Sequence, residues 1–273
     1  MRVLIDGIEV PEDRASVSVF DWAVQRGFGV FEVVRSYGGK PFRAGHHLDR
    51  LERSAAAILL PLPDRASLEE WVSRVAAAGG DCQVRVILTG GGRDPQVAAA
   101  RRTIVAWEPI PDVPVPLRLM PLEAPWHPGR ASGPFSGVKW LSYAPNMASS
   151  DLARRSGFDD ALLLSGEGWV IEGPTFTIAW VSDGVLETPT LDLGILASIT
   201  RQAVLEAARD RGIEVREGRF PLERLQGASE AMGLSTLKEV LPIGAVGEVV
   251  LGTGPVTRML GEDYRALVER ETR

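Results

Sequence analysis

The chain has 273 residues, 45% of them hydrophobic and 24% charged, with a formal net charge of −6 at pH 7. That composition builds a sizeable core, and the acidic excess excludes a generic nucleic-acid binder, which needs clustered surplus Lys and Arg. A single cysteine, Cys82, excludes an internal disulfide framework, and three histidines leave little material for a metal site.

The N-terminal MRVLIDGIEVPEDR lacks the apolar run of a signal peptide, and no span approaches ~20 apolar residues. The chain therefore reads as cytoplasmic, with no membrane and no nucleic-acid partner. VLIDGIEV is a hairpin around Asp6-Gly7. VFEVVRSY and KPFR form a second hairpin, with Phe31, Val33 and Arg35 on one face and Glu32 and Val34 on the other. HHLDRLERSAAAIL spaces Leu48, Leu51, Ala55 and Ile58 as one helical stripe. Ser67 and Glu70 read as a capping box opening a second helix that stops at Gly79-Gly80. QVRVILT and TIVAWE are strands around a glycine-rich loop.

Prolines at 109, 111, 114 and 116 mark the best candidate for a linker. Beyond it the chain is richer in strand. VPLRLMPL is a strand, NMASSDLARRSG a helix, and DALLLSGEGWVIEG and FTIAWVSDGVLET are hairpins. SITRQAVLEAARDRG is an amphipathic helix, IEVREGRF a strand, and a helix through YRALVERE ends the chain.

The glycine-rich RGFGVFE and TGGGRD fit neither the dinucleotide nor the P-loop fingerprint and read as tight turns. Only three of the 30 basic residues are lysines: Lys40, Lys139 and Lys238. Lys139, between Val138 and Trp140, reads as a strand residue in an apolar setting, where loss of hydration makes an amine a usable nucleophile. Taken alone, a snorkelling lysine at a strand end is the plainer reading. Glu172 ends a strand before Gly173-Pro174; it suits a cationic ring nitrogen, or is simply an exposed acid. Ser198 precedes a helix whose first amides, on Ile199 and Thr200, suit a phosphate or ordinary capping equally. Ser235 and Thr236 offer hydroxyls after a strand, and Arg50 a guanidinium for a phosphate oxygen pair. Together these groups form the set that pyridoxal 5'-phosphate requires.

Their order resembles the fold-type IV pyridoxal-phosphate enzymes. RGFGVFEVVR, HLDRL, KWLSYAPNM, EGPTFTIAWV, LASITR and LSTLKEVLPI follow the family's order and spacing nearly end to end. The resemblance implies that Lys139 is the Schiff-base lysine and proton shuttle, and that Glu172 pairs with the pyridine nitrogen. It implies a phosphate site from Arg50, Thr236 beside Ser235, and the amides of Ile199 and Thr200, with Leu196 packed on the ring. Ser198 stands where the family often has Gly, Thr175 near a usual Asn, and Phe28 where an acid is common. The implied fold is α+β: a small α/β domain over 1–108, a linker over 109–116, and a strand-rich pseudo-barrel over 117–273 with the cofactor at the junction. A homodimer is implied as well.

Within the family, VFEVVRSYGG is closest to D-amino acid aminotransferases, which implies ping-pong transfer of an amino group from a D-amino acid to a 2-oxo acid. The alternatives are an aminodeoxychorismate lyase, a branched-chain aminotransferase and, from another class, a non-catalytic cofactor-binding protein. D-amino acid enzymes typically hold the substrate carboxylate with an arginine in a Thr-Arg-Gly loop. Here Gly90 follows Thr89 where that arginine would be, and the candidate cations are Arg93 in the same loop and Arg35, in a pocket with Phe31 and Val33. A lost clamp implies relaxed recognition and activity on (R)-primary amines.

Overall fold

The computed structural model describes residues 3–94, 96, 99–127, 129–130, 133 and 135–273. The chain divides into two compact units. The first comprises Met1–Pro111, Val138–Tyr143 and Arg270–Arg273; the second comprises Asp112–Gly137 and Ala144–Glu269.

In the first unit the described strands form one antiparallel sheet, ordered β2-β1-β6-β5-β3-β4. They are β1 (Val3–Ile5), β2 (Ile8–Val10), β3 (Gly29–Tyr37), β4 (Lys40–Pro41), β5 (Cys82–Thr89) and β6 (Thr103–Glu108). Asp6 and Gly7, both at positive φ, make the tight turn expected between β1 and β2. Along β3 burial alternates as predicted. Val30, Glu32, Val34 and Ser36 are buried, and Phe31, Val33, Arg35 and Tyr37 half-buried.

A short helix, α1 (Trp22–Arg26), precedes β3, and α2 (Ala44–Ala57) and α3 (Arg65–Gly79) supply the rest of the core. Leu48 and Leu51 of α2 and Leu68, Val72 and Val75 of α3 pack with Val30, Val34, Val84 and Val86. The predicted capping box is displaced. Asp64 is the N-cap of α3, accepting the Ser67 N–H at 3.0 Å, so Ser67 lies inside the first turn.

Two further differences concern the connections. Gln83 Nε2 donates to the Pro109 carbonyl at 2.9 Å, so the proline-rich stretch stays with the first unit until Pro111. Val138–Tyr143 also belongs to that unit. Lys139 lies not in a regular strand but beside a single bridge, Val30 to Trp140. Hydrogen bonds from Phe31 N–H to Lys139 O and from Leu141 N–H to Gly29 O, each 3.0 Å, hold the segment along β3.

In the second unit the described strands form an eight-stranded mixed sheet ordered β11-β10-β9-β12-β13-β7-β8, with β14 beside β13. Its strands are β7 (Leu117–Glu123), β8 (Asp160–Leu164), β9 (Thr177–Ser182), β10 (Val185–Pro189), β11 (Val215–Gly218), β12 (Glu230–Ser235), β13 (Glu239–Val246) and β14 (Val249–Val250). Its helices are α4 (Ala144–Arg155), α5 (Ile199–Asp210), α6 (Leu222–Gln226) and α7 (Pro255–Glu271). β9 and β10 are buried at every residue, so they read as apolar runs rather than alternations. Among the described residues no helix is long and apolar enough to cross a membrane, and no His/Cys/Asp/Glu cluster could hold a metal.

Candidate active site

In the first unit the Lys139 amine lies 4.4 Å from the Phe31 ring centroid and 5.7 Å from that of Tyr143. The backbone beneath it is fixed on both sides: Phe31 N–H donates to its carbonyl, and its own N–H donates to Ser54 Oγ at 3.2 Å. Ser54 sits one turn after Arg50 on the same face of α2, with His47 one turn before. The structure thus brings Phe31, Lys139 and the Arg50 face of α2 together.

Arg50 is buried and grips Glu32 with two hydrogen bonds, Nε to Oε1 at 2.7 Å and Nη2 to Oε2 at 2.8 Å. His47 Nδ1 is 2.9 Å from the same Oε2. Burial alone would raise the Glu32 pKa; the Arg50 guanidinium, with help from His47, overrides it and holds the carboxyl far below the usual range. Burial pushes His47 down, against the pull of Glu32. Sequence reasoning treated Arg50 alone. The missed signal was Glu32 itself, an acid on the face of β3 that otherwise carries Val30 and Val34.

In the second unit, β9 runs antiparallel to both β10 and β12. The start of β9 and the ends of β10 and β12 therefore lie at one end of the sheet. Glu172 enters β9 through a turn closed by Gly173 N–H donating to Phe176 O at 2.8 Å. A Cβ on Gly173 would sit 2.1 Å from the Phe176 ring, so only glycine fits. From β10 the chain passes the half-buried Leu196 to α5, where Ser198 Oγ accepts the Arg201 N–H at 3.2 Å. The amides of Ile199 and Thr200 open that helix, where no preceding carbonyl is in register. Arg201 ties this first turn to β10, donating to Pro189 O at 2.9 Å and Thr188 Oγ1 at 3.3 Å.

From β12, Ser235 and Thr236 enter a turn in which Ser235 Oγ accepts the Lys238 N–H at 3.1 Å. Lys238 Nζ is 3.3 Å from both Asp160 Oδ2 and Thr175 Oγ1, joining this turn to that of Glu172. Burial lowers the Lys238 pKa, with Asp160 opposing. Glu172, Leu196, Ile199, Thr200, Ser235 and Thr236 thus emerge at the same sheet end. Facing Glu172 is a residue that the sequence did not single out, His127, with Nε2 3.8 Å from Oε1. It sits in an irregular loop with no periodic signal.

The substrate candidates are more dispersed. Phe31, Val33 and Arg35 share the half-buried face of β3, and the Arg35 guanidinium lies 4.8 Å from the Tyr37 ring centroid. Arg93 is exposed. Gly90 has a packing reason, because a Cβ there would meet Phe28 Cδ1 at 2.3 Å.

An amine over aromatic rings, a carboxylate, two helix-opening amides and a pair of hydroxyls are the donor chemistry that a phosphorylated pyridine aldehyde needs, so the residues fit pyridoxal 5'-phosphate. Residues 29–246 match the family model for class IV amino-transferases. The chain is 32% identical to the D-alanine aminotransferase of Listeria monocytogenes, over 100% of this chain and 97% of that one. A branched-chain aminotransferase structure from Thermoproteus uzoniensis, with norvaline, is 31% identical at a TM-score of 0.87, over 99% of this chain and 96% of that one. A pyridoxal-phosphate-bound hypothetical aminotransferase from Mycobacterium tuberculosis is 26% identical at 0.89, over 98% and 99%. The two-sheet fold, the ordered motifs and these likenesses agree: the chain belongs to the class IV aminotransferases, the fold-type IV enzymes that use pyridoxal 5'-phosphate.

Proposed function

We propose that this enzyme moves the amino group of a D-amino acid to a 2-oxo acid in a ping-pong cycle, with relaxed recognition of the donor carboxylate. The observation that carries the reading is one strand face: Phe31 beneath the Lys139 amine, then Val33, then Arg35. It offers an amine, an apolar stretch and a guanidinium in line, suited to a small substrate whose carboxylate is met by one adaptable cation. The D configuration rests on the VFEVVR segment and on the likeness to a D-alanine aminotransferase.

When bound, the cofactor supplies an aldehyde for the amino group and an electron-withdrawing ring that stabilises charge at the donor Cα. In this reading Lys139 Nζ holds the cofactor covalently and, once displaced, carries the proton from Cα. The Glu172 carboxylate keeps the proton on the ring nitrogen. The amides of Ile199 and Thr200 and the hydroxyls of Ser235 and Thr236 hold the phosphate, and Leu196 packs against the ring. Arg50, whose Nε and Nη2 are held by Glu32, contributes its guanidinium to the phosphate.

A second reading, a branched-chain aminotransferase, is favoured by the Thermoproteus likeness. Holoenzyme half-reactions with D-alanine, L-leucine, (R)-1-phenylethylamine and aminodeoxychorismate, followed by cofactor absorbance, separate the readings. Fast amination by D-alanine with slower amination by the (R)-amine is expected. Amination by L-leucine alone overturns the D-amino acid reading, pyruvate release from aminodeoxychorismate makes the enzyme a lyase, and no response to the (R)-amine removes relaxed recognition. We also infer a homodimer. Val19, Phe20 and Val24 form an exposed apolar cluster around α1 of the kind that subunit contacts cover. Sedimentation equilibrium measures its mass.

A further inference from the structure

We propose that His127 is a positioning residue that orients the Glu172 carboxylate with its Nε2–H. The inference rests on the assignment of Glu172 to the cofactor's ring nitrogen made above.

Two separate connections join the loop carrying His127 to the segment carrying Glu172. In the first, Nε2 of His127 faces Glu172 Oε1 at 3.8 Å, both side chains being nearly buried at 13% and 15% exposure. Catalytic hydrogen bonds are often this long before a site is loaded. In the second, the neighbouring Trp126 donates its indole N–H to Asn146 Oδ1 at 3.2 Å, and Asn146 Nδ2 donates to the Pro174 carbonyl at 3.1 Å, two residues after Glu172. Asn146 therefore spans the two segments.

The ring itself is oriented. His127 N–H donates to Ala124 O at 2.8 Å, and Gly129 N–H donates to His127 Nδ1 at 3.3 Å. An Nδ1 that accepts leaves the proton on Nε2, the atom that faces the carboxylate. Burial pushes the His127 pKa down to about 4, so at neutral pH the imidazole brings a dipole and no charge. An imidazolium here would compete with a protonated ring nitrogen for Glu172. A neutral Nε2–H fixes the carboxylate and leaves its charge for the cofactor.

The test loads wild type, His127→Phe, His127→Gln and Glu172→Gln with pyridoxal 5'-phosphate labelled with nitrogen-15 at the ring. It compares the ring-nitrogen chemical shift, kcat and KM, and reads the His127 tautomer by NMR in the unloaded wild type. Expected are the Nε2–H tautomer, a His127→Phe ring signal shifted part of the way toward that of Glu172→Gln, and kcat lower by about fivefold with KM nearly unchanged. His127→Gln, which keeps an N–H donor, should restore both. A wild-type ring signal and rate in His127→Phe overturn the proposal, as does an Nδ1–H tautomer, a measurement that needs no variant to fold. A ring signal unmoved in Glu172→Gln removes the assignment of Glu172 and this inference with it, whereas one that moves only in Glu172→Gln overturns the role of His127 alone.

Discussion

The two units carry the same short set of parts and use them in opposite ways. Each has a lysine amine 4.4 Å from a phenylalanine ring, Lys139 over Phe31 and Lys238 over Phe176. Each also has a histidine beside a glutamate, the buried His47 with Glu32 and the half-buried His127 with Glu172. In the first unit the acid is committed, because Glu32 receives two hydrogen bonds from Arg50. In the second the lysine is committed, to Asp160 and Thr175. The difference teaches that composition around a group does not assign its role: the same residue types are wired differently in each unit, the glutamate to an arginine in the first and the lysine to an aspartate in the second.

The comparison breaks hardest at the lysines. Lys139→Ala should lower turnover by more than about a thousandfold, and borohydride reduction with peptide mapping should place the pyridoxyl label on Lys139 in wild type. A label on Lys238 would reverse the two roles. Glu172→Gln should bind cofactor and lose roughly a hundredfold in kcat, because the ring nitrogen loses its anionic partner. A near-normal rate would mean that another acid serves.

The histidines sharpen the comparison through pH. His127 has its folded pKa depressed to about 4 from 6.5, so its protonation favours the unfolded chain. Stability should fall as pH drops from 6.5 toward 4, by about 3 kcal/mol for this residue. Burial gives His47 the same sign, whereas Glu32, held far below its ordinary range, keeps its contribution until much lower pH. Urea midpoints between pH 7 and 4.5 should therefore slope less in His127→Gln than in wild type. The smallest effect belongs to Lys238→Met. It should cost about 2 kcal/mol by stranding the nearly buried Asp160, and leave the label on Lys139.

Much of this was legible in the sequence. The alternation of β3 announced which face carries Phe31, Val33 and Arg35, and the six motifs announced the family. Alternation cannot say what an inward acid meets, so the Glu32–Arg50–His47 cluster, built across 18 residues of chain, was invisible. His127 was equally silent, since it sits in an irregular loop and acquires meaning only from Glu172, 45 residues on. The start of α3 is ambiguous in sequence because Asp64 and Ser67 both suit a cap, and the choice between them depends on backbone angles at Asp64. The apolar neighbours of Lys139 imitate a strand, whereas a single bridge to β3 suffices to order it.

That bridge has a consequence for synthesis. When residue 111 leaves the ribosome, every regular strand of the first sheet has been made, yet the Gly29 carbonyl and Phe31 N–H still await Leu141 and Lys139. For the time it takes to translate some thirty further residues, the nascent chain presents this part of β3 as an open edge, the kind of backbone that pairs with a neighbouring polypeptide. The first unit cannot be cut out as one contiguous fragment. Any shortened gene that ends before residue 139 leaves that edge open permanently, along with removing the lysine that closes it.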